Sequence, residues 1–294
     1  MGIKSFIKNI LVLSRPHQYV KNLAVFLPLF FAIEILNGRL FLNAIIAFVA
    51  FSMCASGVYI LNDYFDIEND RLHPKKQFRP LAAGTISKPA AFTVMGIFFV
   101  LGETLMASLS PKAAQILGVY ILMNVAYSYY LKHVTILDVT IIATGFVLRL
   151  FVGSEATSIP LSKWIVLMTF LMALFMALGK RRDDVLVFMN TGKKMRRVID
   201  GYNLRFLDGA MMIMSSVVIV AYILYTTSAE VIQKLRSDYV YLTTIFVVLG
   251  ILRYLQIAFV EEDSGEPTNI ALKDRFMHLT ILAWIVAFIW ILYL

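Results

Sequence analysis

Long apolar runs alternate with short polar and basic clusters along all 294 residues. The runs fall at roughly 22–37, 43–63, 90–108, 114–131, 135–153, 163–180, 206–227, 239–257 and 277–294. Most approach or exceed the ~18–20 residues that a helix needs to cross ~30 Å of hydrocarbon. Backbone groups in lipid must be satisfied within a helix or a closed barrel, and runs of this length are helical. The pattern predicts an all-α, polytopic integral membrane helical bundle with about nine transmembrane helices, forming one domain over 1–294. Ahead of the first run, Ile3, Phe6, Ile7, Ile10 and Leu11 recur at helical spacing opposite Lys4 and Lys8. No small-residue cleavage site follows, so residues 3–14 are expected to form an interfacial amphipathic helix rather than a signal peptide.

Composition agrees with that class. Hydrophobic residues make up 60% of the chain and charged residues only 16%, against about a quarter charged in soluble domains. The single cysteine, Cys54, excludes an internal disulfide and argues against a thiolate metal site. Most of the 27 Lys and Arg residues fall on one side of the predicted membrane; only Arg39, Lys112, Lys163, Lys234 and Arg236 fall on the other, with Arg149 inside a run. That asymmetry predicts a multi-pass protein of the bacterial plasma membrane, with its N-terminus and the loops after even-numbered helices in the cytoplasm. The net charge of +8 is then mostly topological and gives no support to nucleic-acid binding.

The most informative stretch runs from Asn62 to Gly84, NDYFDIENDRLHPKKQFRPLAAG. Asn62, Asp66 and Asp70 recur every four residues, which stacks them on one face of a continuing helix, and Asp63 borders that stripe. Carboxylates on one stripe repel each other, and a helix C-terminus disfavours them further. Their clustering makes sense around a divalent cation, and oxygen-only ligands suit Mg²⁺, which shares its coordination with substrate phosphates. The competing reading is a solvated cytoplasmic loop. The small residues just upstream (Cys54, Ala55, Ser56, Gly57) favour the functional one, because they allow close helix packing at the place where the carboxylates begin. Arg79 precedes Pro80, whose fixed φ offers a turn that aims one guanidinium at a phosphate. Arg71, Lys75 and Lys76 read equally well as topology signals.

The motif Asn62-Asp63-x-x-Asp66-x-x-x-Asp70 resembles the first signature of the UbiA superfamily of intramembrane prenyltransferases, and the likeness extends over essentially the whole chain. The resemblance implies a central cavity open to the cytoplasm and laterally to lipid, with Mg²⁺ held by Asn62, Asp63, Asp66 and Asp70. The segment RPHQYVKN, Arg15 to Asn22, is similar to the family's approach to its first helix, which implies that Lys21 faces the site.

The second family signature is where the sequence departs. Ordinary members carry another aspartate-rich motif after helix six, whereas this chain reads ALGKRRDDVL, Ala177 to Leu186. Lys180, Arg181 and Arg182 stand beside Asp183 and Asp184, whose role is open, and cations contact phosphate oxygens without a bridging metal. YSYYLKHVTILD, with Tyr127, Lys132, His133 and Asp138, and Arg149 in VLRLFVG complete the match. Together they resemble the decaprenyl-phosphate phosphoribosyltransferase branch. That branch implies transfer of 5-phosphoribose from phosphoribosyl pyrophosphate to a polyprenyl phosphate (decaprenyl- or undecaprenyl-phosphate), releasing pyrophosphate, in cell-envelope biosynthesis. Catalysis then falls to Asp63, Asp66 and Asp70. Substrate binding falls to Lys21, Asn62, Arg79, Tyr127, Lys132, His133, Arg149, Lys180, Arg181 and Arg182.

Simpler roles compete for several of these residues. Tyr127, Tyr129 and Tyr130 suit an interfacial aromatic belt, and His133 an interfacial contact. Arg149 pairs with Glu155 or a backbone carbonyl as readily as with a ligand. The run Lys193 to Arg197 suits anionic headgroups, and Glu103 reads as structural. An ordinary prenyltransferase, joining a polyprenyl diphosphate to an aromatic or other acceptor, is the alternative enzyme. A transporter or lipid-binding scaffold is the non-catalytic one, disfavoured because ionisable groups collect at helix ends rather than the midplane. Oligomeric state is left open.

Overall fold

The computed structural model describes residues 3–72, 76–192, 197–262, 270 and 273–293. Among them the chain is helical, without strands: α1 (Ile3–Ser14), α2 (Leu27–Phe31), α3 (Gly38–Phe65), α4 (Ile67–Arg71), α5 (Lys88–Leu109), α6 (Pro111–Tyr129), α7 (Leu137–Thr157), α8 (Lys163–Thr191), α9 (Leu204–Thr226), α10 (Ala229–Leu235), α11 (Thr244–Phe259) and α12 (Arg275–Tyr293). Six segments among the described residues are long and apolar enough to cross a membrane: α3, α5, α7, α8, α9 and Val240–Phe259, which includes α11. Large apolar side chains stand exposed along them, Val100 on α5, Ile213 on α9 and Leu252 on α11 among them. A soluble monomer rarely tolerates such a surface. The protein is an integral membrane protein.

Local signals start several helices where the polar breaks fall. Ser87 Oγ accepts from Ala90 N at 3.4 Å, with Pro89 in the first turn of α5. Ser110 repeats this before α6, accepting from Ala113 N at 3.2 Å with Pro111 leading. Asn203 caps α9 through Phe206 N at 2.8 Å. Each cap satisfies an otherwise orphaned amide, and proline costs nothing in a first turn.

Two expected elements differ. The run at 22–37 is not one α-helix: a 3-10 helix spans Pro16–Phe26, α2 follows, and Ile33 takes a left-handed φ of 61°. Pro16 and Pro28 each lead a new helical start, and a left-handed residue ends one, so apolar length alone misreads the segment. The GKRRDD stretch, expected as a loop, lies inside α8. No breaker follows Gly179 until Gly192, whose φ of 68° closes the helix. The run from Lys193 to Arg196 lies outside the described residues.

Two compact units form, Met1–Lys132 with Thr144–Ser162, and His133–Ala143 with Lys163–Leu294. In the first, α3 packs on α5 and α6 around Ala47, Phe51, Cys54, Leu117 and Tyr120. Gly102 permits the close approach, since a Cβ there would sit 2.8 Å from the Ala50 carbonyl oxygen. A smaller cluster of Leu13, Ile60, Ile67, Leu81 and Ile86 ties α1 and the 80s loop to the lower end of α3. In the second unit, α8 packs on α9 around Phe175, Leu178, Leu207, Met211, Tyr254 and Ile257.

Candidate functional site

The acidic motif straddles a break. α3 ends at Phe65, Asp66 leaves helical geometry with φ −97° and ψ 3°, and α4 resumes at Ile67. The four-residue hydrogen bonds nevertheless continue through it, Asp66 N to Asn62 O at 3.0 Å and Asp70 N to Asp66 O at 2.8 Å. The expected stripe therefore forms: Asn62 Nδ2 donates to Asp66 Oδ2 at 3.0 Å.

Cations face every carboxylate of the stripe. Arg79 Nη1 donates to Asp63 Oδ1 at 3.0 Å and to Asp70 Oδ2 at 2.7 Å, and Lys132 Nζ reaches Asp66 Oδ1 at 2.6 Å. Arg15, which follows α1 directly, donates its Nη2 to Asp63 Oδ1 and lies 5.0 Å over the Tyr59 ring. Burial draws the Arg15 guanidinium below its usual range while the charge of Asp63 opposes that; an arginine so placed still stays protonated near neutral pH. Asp63 and Asp70 are only 2% and 3% exposed. Uncompensated carboxylates so buried would be costly, so positive charge is a structural requirement here.

Arg15 was not among the residues singled out for the site from the sequence. The only local hint is that Arg15 and Arg79 both precede a proline, Pro16 and Pro80. Lys21, the basic residue picked from the same segment, lies half-buried in the 3-10 helix. Tyr127 is half-buried near the end of α6, and His133 is exposed.

Arg149 is buried elsewhere in the first unit. Nε donates to Asn22 Oδ1 at 2.9 Å, Nη1 to the Gly145 carbonyl at 2.7 Å, and Nη2 to Tyr120 Oη at 3.3 Å. The rings of Phe51, Tyr120 and Phe146 surround it at 4.8–5.2 Å. Of the two structural partners anticipated for it, the backbone carbonyl is present, whereas Glu155 pairs with Lys112 at 2.7 Å.

In the second unit the basic stretch of α8 is tied internally. Arg181 Nε donates to Asp138 Oδ2 and its Nη1 to Asp184 Oδ2, both at 2.5 Å. Arg182 donates to Asp208 Oδ1 at 2.6 Å and to the Ala258 carbonyl at 2.5 Å, with Phe259 at 4.9 Å. Lys180 is half-buried on the same helix.

Among the described residues no three acidic, histidine or cysteine side chains converge closely enough to hold a metal ion, because each carboxylate is turned onto a cation instead. The donor chemistry nonetheless fits one. Asp63 and Asp70 already offer oxygens to a single positively charged nitrogen, and Asn62 and Asp66 stand alongside with oxygen donors. Oxygen-only sets of this kind suit hard divalent cations.

Residues 24–281 match the UbiA prenyltransferase family. The chain belongs to that family. Among relatives of this UbiA member is decaprenyl-phosphate phosphoribosyltransferase of Mycolicibacterium smegmatis, 34% identical over 96% of this chain and 92% of that protein. The enzyme of the same name from Mycobacterium tuberculosis is 34% identical over 92% and 90%. A UbiA homolog from Archaeoglobus fulgidus, solved bound to DMAPP and Mg²⁺, superposes with a TM-score of 0.73 at 19% identity, over 97% of this chain and 100% of that one. The UbiA fold is therefore shared at a sequence distance where only the fold carries over.

Proposed function

We propose that this UbiA family member is a phosphoribosyltransferase that moves 5-phosphoribose from phosphoribosyl pyrophosphate to a polyprenyl phosphate, releasing pyrophosphate, with Mg²⁺ as cofactor. Near-full-length identity of 34% to enzymes named decaprenyl-phosphate phosphoribosyltransferase carries the assignment. The basic GKRRDD stretch, standing where ordinary members place a second aspartate motif, supports a donor richer in phosphate than a prenyl diphosphate.

Asn62, Asp63, Asp66 and Asp70 are the proposed metal ligands. Mg²⁺ held there supplies neutralising charge to the pyrophosphate group of the donor. Arg15, Arg79 and Lys132, which pair with these carboxylates, are proposed to donate to phosphate oxygens when metal and donor bind, and the guanidinium of Arg79 is suited to a bidentate contact. The bond from the anomeric carbon to the pyrophosphate oxygen breaks with its electron pair leaving on pyrophosphate, and an oxygen of the acceptor phosphate forms the new bond to that carbon. Negative charge grows on the leaving group as this proceeds, so cations aimed at it stabilise the transition state more than the ground state. The acceptor phosphate is already an anion at neutral pH, so no strong general base is needed. Lys180, Arg181 and Arg182 of the second unit are proposed as further phosphate-binding cations, with Lys21, Tyr127, His133 and Arg149 as secondary candidates.

The basic asymmetry supports a cytoplasmic N-terminus and acidic motif in the bacterial plasma membrane. The apolar runs of the sequence support about nine crossings, of which the six long apolar segments among the described residues are the clearest. One assay tests the whole assignment. Purified protein with Mg²⁺, labelled phosphoribosyl pyrophosphate and a series of polyprenyl phosphates should yield a phosphoribosylated lipid identified by mass. Turnover with a polyprenyl diphosphate and an aromatic acceptor, and none with phosphoribosyl pyrophosphate, would replace it by the prenyltransferase reading.

A further inference from the structure

One chain of hydrogen bonds in the second unit links Arg181, a proposed phosphate-binding cation, to Tyr202 and Asp138, which the proposed chemistry does not use. Ile136 occupies a left-handed conformation with φ 72°, and its amide donates to Tyr202 Oη at 2.9 Å. The Tyr202 hydroxyl in turn donates to Asp138 Oδ1 at 2.7 Å, while Asp138 Oδ2 accepts from Arg181 Nε at 2.5 Å. Arg181 Nη1 continues to Asp184 Oδ2. Three separate stretches, the start of α7 with the residues just before it, α8 and the turn before α9, are thus joined through one carboxylate that is 0% exposed and one guanidinium that is 1% exposed.

The backbone is shaped to make the join. Gly201 packs so tightly on Thr135 that a Cβ would sit 2.0 Å from Thr135 Oγ1, which brings the adjacent Tyr202 against the loop. Burial and the bond to Asp138 push the Tyr202 hydroxyl upward from its ordinary value, so it remains a donor throughout the neutral range. A guanidinium held by Nε on one side and Nη1 on another has its plane fixed, and a fixed plane is what a bidentate phosphate donor requires.

We propose that Tyr202 and Asp138 are positioning residues that fix the plane of the Arg181 guanidinium for contact with substrate phosphate. The assignment rests on the phosphoribosyltransferase reading, in which α8 supplies phosphate-binding cations. Removing the Tyr202 hydroxyl leaves Asp138 held from one side only. Arg181 keeps its charge but loses its orientation, so turnover should fall more than substrate affinity.

Tyr202→Phe, Arg181→Lys and the double variant are compared with wild type, with Tyr222→Phe as a matched control. Tyr222 Oη is likewise buried and hydrogen-bonded, to Thr243 and Trp284, in the same unit. Expected for Tyr202→Phe is a fall in kcat of about tenfold or more with KM for phosphoribosyl pyrophosphate within about threefold, and kcat losses that fail to add in the double variant. Tyr222→Phe should lower the thermal midpoint and leave kcat unchanged. Should Tyr202→Phe not fold, Asp138→Asn, which retains a partner for the Tyr202 hydroxyl, enters the same cycle with the same expectation. Wild-type kcat in the folded Tyr202 variant, or strictly additive losses, overturns the positioning role alone. Absence of wild-type turnover with phosphoribosyl pyrophosphate overturns the functional reading and this inference together.

Discussion

Arg79 Nη1 lies 3.0 Å from Asp63 Oδ1, joining a residue of the 80s loop to the last turn of α3. The same nitrogen is 2.7 Å from Asp70, so one guanidinium separates two buried carboxylates that would otherwise repel. Arg79→Ala should therefore cost about 3–5 kcal/mol of stability, the range for leaving buried charge unpaired. A divalent cation can take the vacated position. The rise in thermal midpoint on adding Mg²⁺ should consequently be larger in Arg79→Ala than in wild type, read by thermal unfolding in detergent. An equal or smaller rise would show that the two carboxylates do not share a metal.

Asp66 combines three observations: it sits at the helix break, accepts from Asn62, and is paired with Lys132 at 2.6 Å. Asp66→Asn keeps the side-chain volume and a partner for Lys132 but removes a charge from the proposed metal set. Its Mg²⁺-dependent phosphoribosyl transfer should drop by about a hundredfold or more, while its thermal midpoint stays near that of wild type. Full activity in purified Asp66→Asn would defeat the metal assignment.

The spacing of Asn62, Asp63, Asp66 and Asp70 was legible because it is a local, helical relation, and the structure keeps it even across the break at Asp66. The long apolar helices were legible for the same reason. What the chain does at 22–37 was not, because proline and one left-handed residue divide a segment whose apolar length alone resembles a span. Arg15 was missed because its partner lies 48 residues away, and nothing local distinguishes it from the basic residues that only set topology. Arg182 is a second case: its contacts with Asp208 and the Ala258 carbonyl, on other helices, could not be read beside it in the sequence. Pairings over long sequence separations depend on packing that no local pattern records.

Arg149 makes a separable prediction. Asn22, Gly145 and Tyr120 take its donors and aromatic rings enclose it, in a place where an unsatisfied charge is expensive. Lysine cannot reach Asn22 and the Gly145 carbonyl with the same fork, so Arg149→Lys should lose about 1–3 kcal/mol. Arg149→Met removes the charge but leaves Asn22 Oδ1 and Tyr120 Oη each one donor fewer; the loss should be similar, because buried acceptors are left unpaired. If Arg149 instead contacts substrate, Arg149→Met will retain its thermal midpoint and lose turnover. Unfolding and transfer assays on the same preparations separate the two roles.

Asp274, just before α12, accepts from Arg253 Nη2 at 2.7 Å and from Met277 N at 2.8 Å. The hydrogen bond from Arg253 is the main reason its carboxyl is held below the ordinary value of 3.8. A carboxylate whose folded value is depressed stabilises the protein fully above its unfolded value, and that contribution disappears as pH falls through the folded value. Arg253→Gln, which removes the cation, should accordingly lower the thermal midpoint at pH 7. The gap between wild type and variant should stay constant down to about pH 5 and then close progressively as pH falls through the ordinary value of 3.8 toward the lower folded value. Thermal unfolding of both proteins across pH 3–7 measures it. A gap that is unchanged at pH 3 would assign the effect of Arg253 to its contacts with Gln256 and Glu261 rather than to Asp274.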